Sequence, residues 1–134
     1  MAHNDAEDQS FFMDFLDRYN QAFYEKDVSK LREFYDPDLI YLDNHGNNDT
    51  YRLEEHLRLL SDFFQNGKTT ESGAVEPILI ENMRVFRKTD SACLCFLTRY
   101  KSFPVPAVRA TMYLECTGGR WKIAHVHCSF EPAG

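Results

Sequence analysis

No apolar run in the sequence approaches the ~18 residues that span a bilayer, so no membrane helix is expected. A basic stripe is also missing: 15 Lys and Arg stand against 21 Asp and Glu, a formal net charge of −6. Nucleic-acid binding and polybasic membrane anchoring both depend on such a stripe, and neither is expected. Gly and Pro are sparse, at 6 and 5, and no linker, repeat or low-complexity tract divides the chain. The four cysteines, Cys93, Cys95, Cys116 and Cys128, show no C-x-x-C spacing. They read as reduced thiols in a cytoplasmic protein. Residues 1–10 are polar and acidic, unlike a signal or transit peptide. There is no glycine-rich phosphate loop and no nucleophile elbow.

Aromatic residues are what the chain has in quantity, with 11 Phe and 7 Tyr among 134 residues. A chain of this length buries about two-thirds of its surface and needs no staples to hold a core. The surplus of rings suits a cavity wall or a subunit interface.

Periodicity places the elements. Ser10 can cap a helix that carries Phe12, Phe15, Leu16, Tyr19, Ala22 and Phe23 on one face. Asp27 caps a short second helix with Val28, Leu31 and Phe34, stopped by Pro37. A short strand over 39–43 leads into the turn Asn44-His45-Gly46-Asn47-Asn48. Asp49 or Thr50 then caps a third helix, with Leu53, His56, Leu57, Leu60 and Phe64 on one face and Gly67 beyond its end. Four β-like runs follow, at 76–86, 92–102, 107–117 and 120–130. Residues 1–9 are expected to be a flexible acidic segment. Residues 10–131 are expected to be a single α+β domain, three N-terminal helices on one face of a curved antiparallel sheet. The other face of the sheet then needs a cover, and a second copy of the chain supplies one.

The last hairpin admits two registers. A two-residue Gly118-Gly119 turn pairs Met112 with His125, whereas a three-residue loop pairs Met112 with Ala124. The second gives cleaner faces and is preferred. It places Val108, Ala110, Met112, Ala124, Val126 and Cys128 under the helices. It turns Arg109, Thr111, Tyr113, Trp121, Ile123, His125 and His127 outward, making Arg109, Tyr113, Trp121, His125 and His127 the expected oligomer interface.

The order of elements and the tail Gly119-Arg120-Trp121-Lys122-Ile123-Ala124-His125-Val126-His127-Cys128-Ser129 resemble the nuclear-transport-factor-2-like, or SnoaL-like, proteins. The tail is similar to the last strand of the calcium/calmodulin-dependent kinase II association domain and its bacterial relatives. Ala92-Cys93-Leu94 resembles the start of another strand of that domain. The resemblance implies a cone-shaped, cystatin-like fold and a homodimer or larger ring formed through the sheet. It also implies a pocket for a small ligand and no cofactor. The pocket arginines of the association domain are matched here by Thr98, Met112 and Cys128, so an apolar or weakly polar ligand is expected. Tyr41 shares the pocket side of its strand.

A more distant resemblance is to ketosteroid isomerases. Tyr19, Asp27 and Asp43 fall at those enzymes' spacing. The resemblance implies that Tyr19 donates to a developing oxyanion while Asp43 moves a proton. The second oxyanion donor of those enzymes is matched by Thr111 or Met112, a poorer donor or none. Asp43 also reads as a turn residue, Tyr19 as a packed core ring, and His56 as a core histidine. A catalytic His56 would resemble the dehydratases of this fold. His45, in the same turn as Asp43, is a lesser candidate. Two readings therefore stand: a ligand-binding or self-association module, and a cofactor-free acid–base enzyme. Cys93-x-Cys95 and His125-x-His127 lie on strands separated by a third, about 9–10 Å apart. Zinc cannot span that distance, so no metal shared between them is expected.

Overall fold

The structure is a computed structural model, and it describes residues 5–42, 50–66, 78–100 and 108–130. Helix α1 (Asp5–Tyr24) begins five residues before the expected cap at Ser10. Its first two turns are tied to the sheet. Asp8 accepts a 3.0 Å hydrogen bond from Nη1 of Arg87, and Gln9 donates to the carbonyl of Met83 at 2.8 Å. Residues 5–9 are therefore helical, contrary to the expected flexible segment. Helix α2 (Val28–Phe34) is capped as expected by Asp27, whose Oδ1 accepts from the Lys30 amide at 3.1 Å. Helix α3 (Leu53–Asn66) starts later than a cap at Asp49 or Thr50 requires. The Glu55 carboxylate instead accepts from the Arg52 amide, 3.1 Å away.

Six strands form one curved, unclosed sheet: β1 (Tyr35–Leu42), β2 (Thr50–Tyr51), β3 (Ile78–Arg87), β4 (Ser91–Tyr100), β5 (Val108–Thr117) and β6 (Arg120–Phe130). Their spatial order is β2-β1-β6-β5-β4-β3. All pairs are antiparallel except β1 with β6, which run parallel. The sheet is thus mixed, because β6 returns beside β1 after a long excursion through α3 and four strands. Pro37 lies inside β1 and does not precede it. It is tolerated because the ladder to β6 is interrupted between Tyr35 and Ile40, where no Pro amide is needed.

The hairpin corrects the preferred register. Thr117 faces Arg120, and Gly118 and Gly119 make a two-residue turn with φ of +59° and +78°. Farther along the ladder the count slips: Tyr113 faces His125, but Leu114 faces Ile123. Ala124 is the extra residue of a β-bulge. The two-residue turn sets Trp121 and Ile123 on the helix side, and the bulge brings Val126 opposite Met112 on that same side. Trp121 packs on Phe12 of α1 at 5.1 Å between ring centroids, so it does not belong to the expected outer interface. The core between helices and sheet is centred on Phe12, Leu16, Leu31, Leu39, Leu94, Leu114 and Ile123, all fully enclosed.

Candidate functional site

Alternation along β1 sends Tyr35, Leu39 and Tyr41 toward the helices, while Ile40 faces away. α3 lies across this strand and lowers His56 onto it. His56 stays only 5% exposed. α1 supplies Tyr19 from the next turn beyond Phe15 and Leu16. Three side chains from three elements then join in one string. The Tyr19 and Tyr35 hydroxyls are 2.5 Å apart, and the Tyr35 hydroxyl is 3.0 Å from Nε2 of His56. Tyr41 stacks on the His56 ring at 4.1 Å and 17°. Its hydroxyl lies 3.7 Å from Sγ of Cys128 on β6.

Burial governs the protonation of this group. It pushes the Tyr19 hydroxyl up to about 12, against a smaller lowering by the bond to Tyr35. It pushes the Tyr35 hydroxyl well above the usual phenol range, with further raising from Tyr19 and Tyr41. It holds His56 down at about 4, so the imidazole is neutral at pH 7. The string therefore carries no net charge. It has two internal arrangements. Tyr19 donates to Tyr35, which donates to Nε2; or Nε2–H donates to Tyr35, which donates to Tyr19. In the second arrangement the Tyr19 hydroxyl hydrogen is free for another acceptor.

The structure brings Tyr19, Tyr41, His56 and Cys128 together. Met112 lies on the same inner face, opposite Val126, and is buried. Thr98 lies on that face farther along β4, opposite Val108. Arg99, its neighbour in sequence, points to the outer face and pairs with Glu81 at 3.3 Å. Asp43 and His45 lie outside the described residues. Of the expected interface set, Arg109, Tyr113, His125 and His127 are on the outer face. Arg109 donates to Ser129 at 3.2 Å, Tyr113 to Glu115 at 3.2 Å, and Nδ1 of His125 stands 3.0 Å from the Ile40 carbonyl.

Tyr35 is the member that sequence reasoning missed. Stopping α2 at Pro37 left Tyr35 between elements. The alternation Tyr35, Leu39, Tyr41 was the available signal. Tyr35 also borders an open surface cleft of about 600 Å³ between α2, α3, β1 and β6, beside Arg32, Arg52, Glu54 and Lys122. These charges are committed locally. Arg32 grips Glu54 at 2.5 and 3.1 Å, and Lys122 donates to the Glu33 carbonyl. Among the described residues, no three His, Cys, Asp or Glu side chains gather as a metal-binding group.

The family profile described as a SnoaL-like domain matches residues 13–133. The chain belongs to the SnoaL-like family. No curated protein matches this SnoaL-like chain at a significant level. Solved structures do. A nuclear-transport-factor-2-like protein of unknown function from Pseudomonas putida KT2440 is 18% identical over 92% of this chain and 87% of its own, with a TM-score of 0.72. A Xanthomonas campestris protein, described as a candidate calcium/calmodulin-dependent protein kinase II association domain, is 18% identical. The match covers 98% of this chain and 91% of that one, with a TM-score of 0.71. A candidate ketosteroid isomerase from Parabacteroides distasonis is also 18% identical, over 87% and 85% of the two chains, with a TM-score of 0.66. At these identities the likeness is one of fold.

Proposed function

We propose that this SnoaL-like domain binds a small, weakly polar molecule with an oxygen acceptor in a pocket on the inner sheet face. Tyr19, Tyr41, Thr98, Met112 and Cys128 line that site in this reading. The observation that carries it is the uncharged Tyr19–Tyr35–His56 string. A ligand oxygen beside Tyr19 selects the arrangement in which Nε2–H donates inward and the Tyr19 hydroxyl donates to the ligand. Neither phenol ionises readily, so the string supplies hydrogen bonds and no base. A cytoplasmic setting without a cofactor belongs to the same reading.

The test is a calorimetric titration with 2-acetylnaphthalene, whose carbonyl oxygen accepts a hydrogen bond, and with 2-ethylnaphthalene, which has no acceptor. The ketone is expected to bind more tightly than the hydrocarbon. Tyr19→Phe should erase that difference at a cost of about fivefold, the worth of one neutral hydrogen bond. Equal binding of the two probes, unaltered in Tyr19→Phe, overturns the proposal. Loss of the preference in Asp43→Asn would support the acid–base alternative, an isomerase, cyclase or dehydratase with Asp43 as base.

Self-association through the outer face is a second reading. Ile40, Leu79 and Phe86 are 41%, 45% and 67% exposed on that face. Apolar groups left open on one side of a sheet favour a second copy there. A homodimer or larger ring in light scattering, dissociated by Tyr113→Asp, is the expected result; a monomeric wild type refutes it.

A further inference from the structure

Cys93 and Cys95 occupy alternate positions of β4 and therefore project from one face of it. Their cross-strand partners, Tyr113 and Thr111, identify that face as the outer one. Sγ of Cys95 lies 3.9 Å from the Thr111 hydroxyl. Neither is in a disulfide, and Cys95 is exposed. On the other side, β3 places Arg84 opposite Cys95 and Phe86 opposite Cys93.

We propose that Cys93 and Cys95 form a two-thiolate site for a soft monovalent cation, Cu(I). The span fits. At metal–sulfur bonds of about 2.3 Å, two sulfurs on one cation stand about 3.8 Å apart at a tetrahedral angle and about 4.6 Å apart when linear. Alternate positions on one strand face hold the two Cα atoms about 6.6–6.8 Å apart, and two side chains turned toward each other close that gap to the required span. A disulfide fits less well, because it needs sulfurs at about 2.05 Å and Cα atoms within about 6.8 Å, the full rise of two strand residues. The donor count selects the metal. Zinc closes its shell with four ligands, and the histidines of β6 are two strands away, about 9–10 Å. Thiolate donors favour Cu(I), which is satisfied by two. Loading forms two Cu–S bonds and releases two thiol protons, with no electron transferred. The resulting complex carries one negative charge, and the Arg84 guanidinium on the adjacent strand offsets it.

The experiment is an anaerobic competition of the full chain against the coloured Cu(I)–bicinchoninate complex, with native mass spectrometry of the product. Wild type should withdraw one copper per chain. Cys93→Ser and Cys95→Ser should each lose that capacity while keeping the wild-type circular dichroism, and Cys116→Ser should keep it. Arg84→Glu should weaken copper uptake without removing it. Uptake by the Cys93→Ser/Cys95→Ser double variant equal to that of wild type overturns the proposal, as does failure of wild type to compete.

Discussion

Tyr41 lies face-on over His56, ring centroids 4.1 Å apart and 17° from parallel. The stack closes one side of the imidazole while Tyr35 meets its Nε2 edge-on at 3.0 Å. Nε2 is thus partnered by a neutral hydroxyl, and a proton added to the ring would be a buried charge.

His56 consequently makes stability depend on pH. Its folded value is about 4, below the ordinary histidine value of 6.5. Between those limits the unfolded chain binds the extra proton, so stability falls as pH drops from about 6.5 to about 4 and levels off below. The full depression is worth about 3 kcal/mol. Urea midpoints should decline across pH 6.5 to 5, above the range where carboxylates titrate. His56→Gln should flatten that segment; a variant with the wild-type slope would sink the assignment.

Tyr35→Phe removes the middle of the string and leaves two buried groups without their partner. The expected loss is about 1–3 kcal/mol in urea unfolding. Tyr19→Phe removes one end and should cost less. The double variant should lose less than the sum, since the two hydroxyls share one bond. Additive losses would show that the 2.5 Å contact carries no coupling.

Asp8 and Arg87 clamp the start of α1, with side chains 9% and 23% exposed. The Arg87 guanidinium also covers the Trp121 ring at 5.2 Å. Asp8→Ala strands a partly buried cation whose Nε has no partner already. Breaking a buried pair costs about 3–5 kcal/mol; partial exposure reduces the expectation to about 2. Emission from Trp121, the one tryptophan, reports the unfolding. Amides of the first two turns of α1 should exchange faster while those of α3 do not. A change under about 0.5 kcal/mol, typical of surface sites, would refute the clamp.

Gly118 and Gly119 both have open space where a Cβ would sit, so only their left-handed backbone opposes substitution. Gly119→Val should cost about 1–2 kcal/mol, and Gly118→Asn should be close to neutral, since asparagine tolerates this region. Equal thermal shifts for the two would argue against the two-residue turn.

The elements were legible where one local rule governed them. Asp27 announced the start of α2, and alternation announced the four long strands within two residues. The SnoaL-like family was legible from the tail. The faces of β6 were not, because a single bulge at Ala124 reverses the parity that alternation assumes. Trp121 was therefore assigned to the wrong side. The site was half legible. Tyr19, Tyr41, His56 and Cys128 were named for separate reasons, but their convergence needed Tyr35. Tyr35 belongs to β1 only because β6 pairs alongside it, a contact 88 residues away in sequence, Tyr35 to Ile123.

That parallel seam also orders the folding of the chain. β6 lies between β1 and β5, so neither half of the sheet joins the other until the last strand arrives. The β3–β4–β5 meander can form from neighbours, whereas β1 must wait with its inner residues uncovered. Long-range closure of this kind slows folding. The seam thus makes β6 the keystone: an early intermediate would hold the meander, with Tyr35 and Tyr41 still exposed to water.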